Sequence, residues 1–466
     1  MTKANNGTES EDQKVTISEP TDFPQSRPAR RKSLRNHRTK TKKSSRVNSF
    51  DVRGDFNLSK DIQGDDNSFH EALLNESAAD DFSVTRSRKL NQSITVAPAL
   101  SRASRVNVSA YISNLISWEG SPVLSRGCRL KHLNMTSMVF VKVHKSASST
   151  IANILARYAL RYGLHVALPK KVPKTKRFNY FDEAITRDSV FPPLANGSHY
   201  NVMFNHMIFN RSNIQRLMTN NTFYFAIIRR PEERFVSSFY YYGLDRILQR
   251  KFNISDQREA LSFFLRTYHQ FNATKPELHN SFASNTGLAP EKQRDPRNIR
   301  NHAISLRRDL DLVLVAENFE ESLVLLKRRA CLRMKDILYM KNNARKNKTE
   351  FVMSSKDRLL FKKYQMADVL LYDHFYRIFW DNVLAEGIEF FLELRRFREI
   401  QAIMSEFCFR NTSGLRLAYV DASMWNERFV ISRRDCFLLQ QSEMSMQIYL
   451  LSRATKWLAL SEKDGV

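Results

Sequence analysis

The chain has 466 residues, of which 42% are hydrophobic, enough to bury a sizeable core and to exclude wholesale disorder. Twelve glycines and thirteen prolines exclude a collagen-like chain, and four scattered cysteines exclude a zinc ribbon or a disulfide-stapled mini-protein. The 74 basic against 48 acidic side chains leave a net charge of +26, which predicts anionic partners: nucleic acid, a membrane surface, or a charged substrate.

Residues 1–127 read as a disordered, basic, Ser/Asn-rich region, because no apolar periodicity persists there for more than a turn. Ten Lys and Arg lie between Arg27 and Arg46 without one acid. Such a run suits a nucleic-acid or nuclear-targeting arm, but more readily a solvated tail that touches anionic membrane or nothing specific. No stretch reaches the ~18 apolar residues of a membrane span, and Val106 to Trp118 is short and interrupted by Ser and Asn. Asn-X-Ser/Thr sequons are dense, among them Asn107, Asn134, Asn196, Asn210, Asn220, Asn253, Asn272, Asn347 and Asn411, which leans toward a lumenal compartment. The four cysteines, Cys128, Cys331, Cys408 and Cys436, form two bridges in such a compartment or stay as buried thiols.

Met138 to Val143 is short, apolar and β-branched, as a buried parallel strand should be. Thereafter Ile151, Ile154, Leu155, Tyr158 and Tyr162 fall on one helical face, and Gly163 sits where a helix stops. The intervening loop, His144-Lys145-Ser146-Ala147-Ser148-Ser149-Thr150, joins small hydroxyl residues to a lysine at a helix N-terminus. Backbone N–H groups and the positive end of the helix dipole converge there, so the loop suits a phosphate or sulfate. It is not a Walker A loop, since GxxxxGK[ST] is absent, and an ordinary Ser-capped turn is the bland alternative.

Tyr200 to Asn205 reads as a further core strand ending beside His206. Phe223 to Ile228 is another buried-strand run, with Arg229 at its carboxyl end, where open α/β sheets place ligand-binding groups. Pro231 can open a helix at its first position, from which Ser237 would join Arg229 in gripping a second phosphate. Tyr240, Tyr241 and Tyr242 suit either a sugar's apolar face or core packing.

In order, these segments resemble the sulfotransferases that use 3′-phosphoadenosine 5′-phosphosulfate (PAPS), and more narrowly the galactose-3-O-sulfotransferase family. The likeness rests on the His144–Thr150 loop, on Asn205-His206-Met207-Ile208-Phe209-Asn210, and on Phe223 through Tyr242. It continues in Asp311 through Leu326, similar to the family's last core strand and the following helix, and in Leu371-Tyr-Asp-His-Phe-Tyr-Arg-Ile-Phe-Trp380. One departure is Arg230, where many sulfotransferases carry Asp, so the capping at the helix start or the phosphate contacts are expected to differ.

The resemblance implies an α/β fold with a P-loop-like central parallel sheet flanked by helices, over a domain of residues 128–440 followed by a helical tail at 441–466. It implies that Lys145, Ser146, Ala147, Ser148, Ser149 and Thr150 bind the 5′-phosphosulfate of PAPS, and that Arg229 and Ser237 bind its 3′-phosphate. Catalytic roles fall to Lys145, to His144 as first-ranked base, and to His206 as second base or acceptor-orienting group. The implied acceptor is the 3-hydroxyl of a terminal β-galactose on a glycolipid or glycan, with no metal and no nucleic acid. A Golgi membrane protein is implied, with membrane-surface association and with its anchor replaced by the basic segment or missing from this sequence. A P-loop kinase of small molecules would need the Walker glycines, and a nucleic-acid-binding protein leaves the order of the core motifs unexplained.

Overall fold

A computed structural model describes residues 137–170, 181, 185–192, 199–270, 277–340, 353–409 and 416–463. The expected disordered region, the basic run Arg27–Arg46 and Cys128 lie outside them.

Four strands form one parallel sheet in the order β2-β1-β3-β4: β1 (Ser137–Val141), β2 (Val202–Met203), β3 (Thr222–Ile228) and β4 (Leu312–Val315). Every residue of these strands is buried, which explains why they read as unbroken apolar runs and not as alternating ones. From β1 the chain goes to β2 on one side and then crosses to β3 on the other. The carboxyl end of β1 therefore lies where the strand order reverses, the place at which open α/β sheets hold ligands.

Helix α1 (Ser148–Tyr162) follows β1 and ends at Gly163, whose φ of 65° is the left-handed stop expected of it. Ile151, Ile154 and Leu155 on its inner face are fully buried. After β2 come α2 (Arg211–Gln215), and after β3 come α3 (Pro231–Tyr241), α4 (Leu244–Phe252) and α5 (Gln257–Thr267). Pro231 opens α3 at its first position, as the sequence suggests. Further on lie α6 (Ser281–Asn285), α7 (Pro296–Asp309), α8 (Phe319–Ala330), α9 (Ser355–Tyr364), α10 (Met366–Ala385) and α11 (Ile388–Phe409). Leu371, Phe375 and Phe379 of α10 are core residues, in keeping with their helical spacing. A second apolar cluster, built on Phe235, Phe239, Phe264 and Phe361, ties α3 to α5 and α9.

One expectation is corrected. The strand expected over Tyr200 to Asn205 is only Val202–Met203. Asn201 accepts from the amide of His165 (3.1 Å), and Asn205 donates to Gln447 (3.1 Å). The chain also adds an antiparallel pair that the sequence reading did not foresee, β5 (Leu417–Val420) with β6 (Phe429–Ser432). It is followed by α12 (Arg433–Gln440) and α13 (Glu443–Lys463). Cys408 of α11 is disulfide-bonded to Cys436 of α12, and Cys331 is disulfide-bonded as well.

Candidate active site

The loop between β1 and α1 is wound tightly without glycine. Lys145 and Ala147 both take positive φ, 60° and 56°, a region that non-glycine residues enter at a cost and mostly at functional sites. Ala147 occupies the N-cap of α1, which has no side-chain cap. The Thr150 amide bonds the Ala147 carbonyl (3.1 Å), and no side-chain oxygen of the cap residue competes for the amides before it. Ser146 and Ser148 are buried, and the Ser146 hydroxyl donates to the carbonyl of His144 (3.4 Å).

Arg229 follows β3, and its Nη1 donates to the carbonyl of Lys145 (3.1 Å). The two cations expected to grip opposite ends of one ligand therefore border the same loop. Burial, and secondly the Arg229 guanidinium, hold the Lys145 ammonium below its ordinary pKa. Lys145 Nζ lies 3.7 Å from the ring centroid of Tyr241, and Arg229 pairs with Glu233 (3.1 Å). Glu233, Ser237 and Tyr241 are spaced i, i+4, i+8 along α3, so Ser237 stands between these two contacts on one helical face. Such a cluster of positive charge suits an anion with more than one negative group.

His144 and His206, brought from the ends of β1 and β2, stack with ring centroids 4.1 Å apart and planes 9° from parallel. Nδ1 of His144 lies 3.3 Å from the Tyr242 hydroxyl. Both rings are nearly buried, at 6% and 7% exposure. The three tyrosines divide: Tyr240 packs against the second apolar cluster, Tyr241 is exposed over Lys145, and Tyr242 holds His144.

Two carboxylates escaped the sequence reading. Glu317, just past β4, accepts from the backbone amide of Arg230 at the N-cap of α3. It takes the cap residue's own amide from 87 residues away, the bond that a Glu three residues on makes in a capping box. Burial pushes the Glu317 carboxyl up, against the pull of the Arg230 amide. The second is Glu443 of α13, which pairs with Lys142 Nζ and accepts from Ser149 Oγ (2.9 Å). Lys142, directly after β1, is fully buried and takes Glu443 as its partner. Among the described residues, no group of three or more His, Cys, Asp or Glu side chains is arranged to hold a metal.

A family model for galactose-3-O-sulfotransferase matches residues 97–424. Galactose-3-O-sulfotransferase 2 of Mus musculus is 29% identical over 295 residues, covering 62% of this chain and 73% of that protein. Its Homo sapiens namesake is 31% identical over 289 residues, covering 60% and 70%. Galactosylceramide sulfotransferase of Bos taurus is 31% identical over 270 residues, covering 57% and 61%.

Proposed function

The chain belongs to the galactose-3-O-sulfotransferase family, and we propose that it moves a sulfuryl group from PAPS to the 3-hydroxyl of a terminal β-galactose on a glycolipid or glycan. The observation that carries the donor assignment is the Arg229–Lys145 contact, because it lets a single nucleotide meet the loop with one end and Arg229 with the other.

PAPS supplies the sulfuryl group and a phosphate leaving group when bound. The chain supplies position and charge. Amides of the Ser146–Thr150 turn and the Lys145 ammonium face the 5′-phosphosulfate, where charge gathers as the bond to sulfur breaks. Arg229 and Ser237 take the 3′-phosphate, and the Arg229–Glu233 pair opens to receive it. His144 removes the acceptor's hydroxyl proton, a contribution worth roughly 10²–10⁴ in rate. The stacked His206 restrains the His144 ring, and Tyr242 fixes it from its Nδ1 side. The exposed ring of Tyr241 provides an apolar platform for the sugar beside Lys145.

We place the protein in the Golgi lumen, at the membrane, in keeping with its disulfides and its many sequons. No described helix is long and apolar enough to cross a membrane.

Transfer of labelled sulfuryl from PAPS to a panel of galactosides and galactolipids, with the linkage of the product determined, tests the activity. Label on the galactose 3-hydroxyl is expected with the wild type and not with Lys145→Ala. Label on another hydroxyl, no label, or full transfer by the folded variant would contradict the proposal.

A further inference from the structure

Helices α12 and α13 lie beyond the residues 97–424 matched by the family, yet their side chains and carbonyls enter the site at three points. Glu443 carries two of the bonds, to Lys142 Nζ and to Ser149 Oγ. One turn along α1, Asn153 Nδ2 donates to the carbonyls of Leu438 (3.0 Å) and Gln441 (3.1 Å). One turn along α13, Gln447 accepts from Asn205 Nδ2 (3.1 Å). Lys142 and Asn205 are fully buried, Gln447 is 2% exposed, and Met446 and Leu450 are buried beside it. These are interior contacts of the fold.

The residues so held are neighbours of the functional ones. Lys142 is two residues from His144, and Ser149 is in the first turn of α1, whose amides the donor meets. Asn205 directly precedes His206. One helix thus grips both loops whose histidines stack 4.1 Å apart.

We propose that Glu443 and Gln447 are positioning residues for sulfuryl transfer: Glu443 fixes the donor loop through Lys142 and Ser149, and Gln447 fixes the His206 loop through Asn205. The inference rests on the donor reading given above. Glu443 also neutralises Lys142, whose ammonium burial lowers and the carboxylate raises, so that Lys145 remains the loop's cation for the donor. A carboxylate bound to Lys142 is in turn kept from competing with a phosphate at the helix end.

The test uses the full chain and titrates 3′-phosphoadenosine 5′-phosphate calorimetrically, alongside transfer kinetics. Glu443→Gln is expected to weaken nucleotide binding at least tenfold. Gln447→Leu is expected to lower kcat at least tenfold at saturating donor while the nucleotide Kd changes less than threefold, a split that mere destabilisation does not produce. The double substitution Lys142→Met with Glu443→Met removes a buried charge together with its partner, an exchange that folds commonly tolerate. It still cuts the tie to Ser149, so the same tenfold weakening is expected even where Glu443→Gln fails to fold. Wild-type behaviour in any of these folded variants, or tighter nucleotide binding by Glu443→Gln, overturns the inference. A wild-type protein that did not bind the nucleotide would instead overturn the donor reading on which it rests.

Discussion

The Tyr242 hydroxyl lies 3.3 Å from Nδ1 of His144, whose ring is stacked at 4.1 Å on that of His206. His144 is therefore held on its Nδ1 side and across its ring face, as a base must be if its proton is to pass in one direction. His144→Ala is expected to lose roughly 10²–10⁴ in kcat at saturating donor, and His206→Ala markedly less. Tyr242→Phe removes one hydrogen bond, worth about 1 kcal/mol, and is expected to slow transfer several-fold. Turnover by folded His144→Ala equal to the wild type would remove His144 from this role.

Glu317 holds the amide that opens α3, next to Arg229. Glu317→Leu leaves that amide without its acceptor and is expected to cost about 1–3 kcal/mol of stability, while weakening donor binding. Glu317→Gln retains an acceptor and is expected to cost less than half as much. Denaturant unfolding of the two variants checks the order, and equal losses would count against the capping role.

Stability should fall with acidity through the buried His279 and the partly buried His302, both outside the donor loop. Burial brings His279 and His302 down to about 4 from an ordinary value of 6.5. A histidine depressed in the folded state stabilises it fully above the unfolded value, and that stability is lost as pH falls from 6.5 toward 4. Each unit of difference is worth about 1.4 kcal/mol for a fully buried group. Melting temperatures measured between pH 7 and pH 4 should decline across that window, and less steeply in His302→Gln, where Thr286 Oγ1 keeps a partner. A flat profile contradicts the assignment.

The Cys408–Cys436 bridge closes a loop with a sequence separation of 28 and anchors α12, whose Leu438 carbonyl and the following Gln441 carbonyl receive Asn153. Replacing both cysteines with serine is expected to cost about 2–4 kcal/mol and to weaken nucleotide binding as well. Unfolding midpoints that matched those of the wild type would show that packing alone seats the C-terminal helices.

The legible parts of the fold were those whose cause is local. β1 and β3 are buried on both faces and so read as continuous apolar runs, and Gly163 and Pro231 mark helix ends by their own backbone preferences. Two-residue β2 was overextended because Tyr200 and Phe204 are core residues without being strand residues. The carboxylates were invisible for a different reason. Glu317 reaches its amide over 87 residues and Glu443 reaches Lys142 over 301, and no periodicity or capping signal spans such distances. Likewise the sequence could rank His144 and His206 separately, but their stacking exists only once β1 and β2 lie side by side.

The most direct test of the account is the preference for the 3′-phosphate, measured as the ratio of Kd values for adenosine 5′-phosphate and 3′-phosphoadenosine 5′-phosphate in the wild type and in Arg229→Ala. With Lys145 and Arg229 gripping one nucleotide, the wild type should favour the 3′-phosphorylated form by at least tenfold, and Arg229→Ala should lose most of that preference while still binding the 5′-phosphate. A folded Arg229→Ala that kept the full preference, or a wild type that showed none, would contradict it.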